Sequence, residues 1–153
     1  MTRRITALAI VVLVALVASS MAGDTDEKWF DMENCAMCKN LSSQEGLLEA
    51  MTWESHPISN GVVAVSTVKS DFLAAYYTAH DGMGKTGEKL MGGEQLHLCK
   101  SCSALGMCMM QGVSQDYVKT MSGDVWIVTS DKEDVVAMLH DWANKNMEAM
   151  KNM

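Results

Sequence analysis

Apolar and polar positions along the chain fall into an order that occurs twice. Two short β-prone runs, Trp53 to Ile58 and Val62 to Val68, flank Ser59-Asn60-Gly61, which predicts a hairpin whose Asn-Gly step tolerates positive φ. Upstream, Ser42-Ser43-Gln44-Glu45 has the spacing of a capping box and predicts a short helix from Ser43 to about Met51. Downstream, Asp71 stands near the start of a longer helix as its candidate cap, and that helix reaches about Leu90. Phe72, Tyr76, Met83 and Leu90 mark its apolar face, whereas Gly82, Gly84 and Gly87 weaken its second half.

The second half of the chain repeats this order. Ala104 to Gln111 predicts a short helix, Tyr117 to Met121 and Val125 to Thr129 a hairpin, and Lys132 to about Lys151 a final helix. Val135, Leu139, Trp142, Ala143, Met147 and Met150 recur there at spacings of three and four and give one apolar face. At an offset of 64, Cys35, Cys38, Leu41 and Trp53 fall on Cys99, Cys102, Leu105 and Tyr117. At an offset of 63, Ser59, Val62, Val65, Lys69, Asp71 and Ala74 fall on Ser122, Val125, Val128, Lys132, Asp134 and Ala137.

The reading is therefore an internal duplication of an α-β-β-α module. The expected fold class is α+β, with the two modules sharing a four-stranded antiparallel sheet and the long helices packed on it. The repeats cover about residues 30–91 and 94–153. No proline- or serine-rich linker divides them, and Met91-Gly92-Gly93 is the one hinge candidate, so residues 23–153 are expected to form a single domain.

Residues 1–22 read as a secretory signal peptide. Arg3 and Arg4 supply the positive start, Ile5 to Ala18 is apolar, and Ser20-Met21-Ala22 resembles a small-x-small cleavage site. A secreted or periplasmic location follows, with membrane contact only through an uncleaved signal. Loss of Arg3 and Arg4 takes the formal charge from −7 to −9. That acidity disfavours a nucleic-acid partner, because phosphate binding needs clustered cations.

Chemistry enters with the cysteines. Cys35/Cys38 and Cys99/Cys102 are two Cys-x-x-Cys pairs at like positions of like modules, the donor set that encloses a tetrahedral zinc ion. Cys108 has no counterpart, since Gln44 holds its place, and it joins the set as an auxiliary soft donor. His97 precedes Cys99 by two, as Glu33 precedes Cys35, and is the sixth candidate. Fifteen methionines, with Met107, Met109 and Met110 around Cys108, bring copper(I) in beside zinc, because thioethers and thiolates are soft donors. Methionine as core filler is the plainer alternative.

The expected function is an exported soft-metal binding protein, engaged in metal handling with a donor or acceptor protein. Two alternatives stay open: a thiol-disulfide redox protein, and a non-catalytic secreted domain braced by disulfides. Homodimerisation through Cys108 or the acidic face is a further open point. Whether the protein is an enzyme stays open, with a non-enzyme the favoured reading: hydrolase chemistry finds no support, since no nucleophile elbow, no His-Glu-x-x-His and no Gly-rich phosphate loop occurs, and Lys39 and Ser103 stand where haem attachment requires histidine. His80 reads as a satisfied core histidine and His56 as solvent-facing. His140 lies beside the final helix's apolar face, and its equivalent in the first module is Tyr77.

Overall fold

A computed structural model describes residues 28–151, so the predicted signal peptide lies outside the described residues. Five α-helices and four strands occur among them. These are α1 (Lys39–Ser42), α2 (Leu47–Ala50), β1 (Met51–Ile58), β2 (Gly61–Val68), α3 (Leu73–Met91), α4 (Lys100–Met110), β3 (Ser114–Thr120), β4 (Gly123–Thr129) and α5 (Glu133–Met150). The strands form one antiparallel sheet in the order β1-β2-β4-β3. The α+β expectation holds, with helices packed on a four-stranded antiparallel sheet. No helix among the described residues is long and apolar enough to cross a membrane.

Register fixes which side chains share the packed face. Trp53 pairs with Ser66, Ser66 with Asp124, Ala64 with Trp126 and Trp126 with Tyr117, so these residues point the same way. On this face α5 lays Val135, Leu139, Trp142 and Ala143, all buried, against Val62 and Val128. The Trp142 ring sits 6.2 Å from Trp53 and 6.4 Å from Trp126 between centroids. A second cluster joins Leu47 and Val68 to Tyr76 and Ala79 of α3.

Several local expectations are corrected. The helix predicted from Ser43 to Met51 shrinks to α2, with α1 ending before it at Ser42, because Gly46 at φ 73 breaks the run ahead of Leu47 and packs under the Phe72 ring. The serines do not cap forward: Ser42 Oγ donates to the Met32 carbonyl and Ser43 Oγ to that of Asn40. Asp71 does not cap α3 either, for it lies in a 3₁₀ turn, Ser70–Phe72, ahead of that helix. The Asn60-Gly61 step uses no positive φ. Gly61 is required for another reason, since a Cβ there would strike the Val128 carbonyl across the β2–β4 pairing. The glycines of α3 do not end it. Gly82 is where Asn40 of α1 crosses, and Asn40 Nδ2 goes on to bond Thr86 Oγ1 at 3.3 Å.

Asp124, buried in the sheet, is the carboxylate within the packed face, where Ser55 is buried as well. Its carboxylate accepts the Tyr76 hydroxyl at 2.6 Å and also the Tyr117 hydroxyl, and His80 Nε2 stands 3.8 Å away. Burial, followed by the bond to Asp124, pushes the Tyr76 phenol well above its usual range, and Tyr117 moves the same way for the same reasons. A phenol whose folded pKa exceeds its unfolded value of about 10 stabilises fully below that pH and progressively less above it. Stability is therefore expected to decline above about pH 10. Tyr76→Phe should flatten that decline while costing about 1.5–3 kcal/mol at neutral pH, the worth of a bond to a charged acceptor. Urea midpoints measured across pH check both.

Candidate metal centre

Two segments far apart in sequence meet beside α4. The first runs from Asp31 to α1, where Asp31 Oδ1 accepts the backbone N–H of Glu33 at 3.1 Å and of Asn34 at 2.9 Å and so turns the chain into Cys35. Those bonds, with the Asn34 backbone contribution the largest, hold the Asp31 carboxyl below its ordinary pKa. The Lys39 N–H then returns to the Cys35 carbonyl at 2.9 Å, closing the first Cys-x-x-Cys turn. The second segment enters through His97, whose carbonyl accepts the Ala36 N–H at 2.9 Å, and reaches α4 through an extended Cys99. The helix starts at Lys100 rather than at the predicted Ala104, which places Cys102 in its first turn.

The first turn of α4 is held from three sides. Lys100 and Ser101 N–H groups donate to the carbonyls of Lys28 and Trp29. Trp142 Nε1 donates to the Ser101 carbonyl at 3.2 Å and to its hydroxyl at 3.1 Å. Ser101 Oγ and Trp29 Nε1 both donate to Asn146 Oδ1, each at 2.8 Å. Ser101, Trp142 and Asn146 thus fix the backbone that carries Cys99 and Cys102, and of these the sequence reading names Trp142 alone, as a core residue of the final helix. A signal existed: Asn146 continues the apolar stripe of Leu139 and Trp142, where an amide needs a buried partner.

The sulfurs of Cys35, Cys38, Cys99 and Cys102 all lie within 4.8 Å of one another. Cys38 Sγ is 3.7 Å from Cys99 Sγ and 3.6 Å from Cys102 Sγ. Disulfides need about 2.05 Å, so these are contacts between separate sulfurs. A zinc ion about 2.3 Å from each of four thiolates sets a tetrahedral edge of about 3.8 Å, close to the two measured separations. Met32, Met37 and Leu98 pack around the cluster and keep it apolar.

Protons are shared unevenly among the four. Cys35 is lowered by hydrogen bonds with Cys102, Cys38 and Cys99, and the backbone N–H of Cys38 adds to the effect. Cys99 is lowered to about 6, first by its bond with Cys102, and the Cys102 backbone N–H contributes in the same sense. Within each pair the backbone N–H of the second cysteine adds to the lowering at the first. For Cys38 the bond with Cys102 pulls down, but Cys35, Cys99 and burial outweigh it and the thiol is raised. Cys102 is raised through Cys35, Cys38 and Cys99. Four buried thiolates repel one another, and a dication that displaces the remaining protons resolves the conflict.

The other two candidates lie elsewhere. Cys108 is buried in the main core with Val62, Val128 and Val135, and burial raises its thiol. The His97 imidazole is 53% exposed and stands 3.9 Å from Asp31 Oδ2, outside the sulfur group. Of the remaining histidines, His80 Nδ1 contacts the Tyr117 hydroxyl at 3.4 Å, His140 Nε2 donates to the Ile58 carbonyl at 2.8 Å, and exposed His56 pairs with Glu54. No family model, curated protein or solved structure matches the chain.

Proposed function

We propose that the protein is an exported soft-metal binding protein and that its ion is zinc, held by Cys35, Cys38, Cys99 and Cys102. One observation carries the reading: four sulfurs, contributed in pairs by segments 61 and 64 residues apart, converge at separations suited to a tetrahedral thiolate centre. Four sulfur donors in that geometry favour zinc over copper(I) on the chemistry of the site. Export is supported by the arginine-led apolar run at the N-terminus, and it gives the metal a further role, because bound thiolates resist the oxidation that free ones meet outside the cell. The protein would hold zinc structurally or pass it to an acceptor.

Elemental analysis of the purified protein, with thiol counting after denaturation in chelator, tests this directly. One zinc per chain with five free thiols is the expected result. Metal-free protein with oxidised cysteines would establish the braced-domain alternative, and a pair that opens reversibly at mild potential the redox one. Cys108→Ala is expected to keep the full zinc stoichiometry and to cost only about 1 kcal/mol, as for a small group removed from a core. Loss of zinc in that variant would return Cys108 to the ligand set.

A further inference from the structure

We propose that the ion enters and leaves over Cys102, through a window that Gly106 leaves open on α4; the inference rests on the metal reading above. Three of the four ligand residues are sealed in, with Cys35 and Cys99 at 0% and Cys38 at 6% exposure. Cys102 alone is partly exposed. An incoming donor meets Cys102 first.

Side chains on an α-helix lean toward its N-terminus, so the residue four positions on lies over the turn that carries the earlier one. Four positions after Cys102 stands Gly106, which has no side chain to lay there. Apart from its chain neighbours and the helix's own backbone, a Cβ built at Gly106 would meet nothing within 4 Å, so no other segment of the described residues fills the space. The usual structural reasons for glycine are missing as well: its φ is not positive and no backbone crowds it. Glycine is nonetheless a poor helix former at an interior position. Beyond the gap, Met109 and the 82% exposed Met110 continue the same side of α4 and line the approach with thioethers, soft donors that a thiophilic ion tolerates.

Exchange would then proceed by ligand replacement at Cys102: an incoming donor would take the place of Cys102 Sγ, and the displaced thiolate would be protonated by the buffer. Cys35, Cys38 and Cys99 would hold the ion until further donors replace them.

The test mixes zinc-loaded protein with excess EDTA and follows release. Gly106→Leu is expected to slow release roughly tenfold, equivalent to about 1.4 kcal/mol at the barrier, with equilibrium zinc affinity unchanged. Gly106→Ala supplies the same helix propensity without covering the sulfur and should release zinc at the wild-type rate. A leucine variant that binds one zinc and releases it at the wild-type rate overturns the proposal. So does equal slowing by alanine, which would make helix fraying the controlling step. Wild-type protein that takes up no zinc defeats the metal reading itself, and the window with it.

Discussion

Cys35→Ser and Cys99→Ser are each expected to abolish stoichiometric zinc binding, and each should lower the thermal midpoint by more than about 10 °C, the equivalent of roughly 3 kcal/mol in a domain of this size. The two residues lie in different segments, so equal losses follow only from a shared centre. Structural zinc binds with an apparent free energy of about 10–16 kcal/mol, comparable with the whole stability of a small domain. The segment from Lys28 to Ser42 depends on it most: α1 has no buried residue of its own, and the burial in this stretch is supplied by Cys35 and Cys38. Chelation of the wild-type protein should therefore expose residues 28–42 to hydrogen exchange while the sheet and α5 stay protected. Zinc loss in one variant alone would refute the shared centre. An unchanged midpoint after chelation would refute the stabilising role.

Periodicity was enough to read the order of elements and the sheet, because the β-prone runs and the α5 stripe are strong local signals. What failed was local competition. Ser42 and Ser43 have the residue types of a helix start, yet their hydroxyls find carbonyls behind them, a choice set by the chain folding back onto Met32. Gly61 opens β2 rather than completing the turn, and its constraint comes from β4, a partner 60-odd residues away. Tyr76, Tyr117 and Asp124 form a polar cluster that no spacing announces, because three different elements supply it.

The four sulfurs were legible because paired Cys-x-x-Cys turns encode their own local geometry, and the repeat offset linked one pair to the other. His97 was chosen by its offset from Cys99, but offset does not show where a side chain points. The structure uses its carbonyl, which anchors Ala36, and leaves the ring beside Asp31. The methionine excess divides in a similar way: Met32 and Met37 pack on the sulfur cluster, whereas Met91, Met110 and Met121 are exposed. Composition alone could not separate those roles.

Trp142→Ala is expected to be the most damaging change outside the centre. The side chain is 2% exposed and lies between the Trp53 and Trp126 rings, so truncation removes a large buried surface at a cost of about 3–5 kcal/mol. It also strips Ser101 of its indole donor, a buried hydrogen bond worth about 0.5–1.5 kcal/mol. The total approaches the lower end of the full stability of a domain, about 5–15 kcal/mol, so this variant should be largely unfolded at 37 °C. Trp142→Phe separates packing from hydrogen bonding. It keeps an aromatic ring against Trp53 and Trp126 but loses the donor that holds the backbone between Cys99 and Cys102. Its expected signature is a modest loss of stability together with roughly tenfold weaker zinc binding, as when a group supporting a metal ligand is removed. Competition with a chelator of known affinity measures that change. Wild-type zinc affinity in a destabilised Trp142→Phe protein would show that the core and the metal centre are independent, and that Ser101 needs no help from α5 to hold the second pair of sulfurs in place.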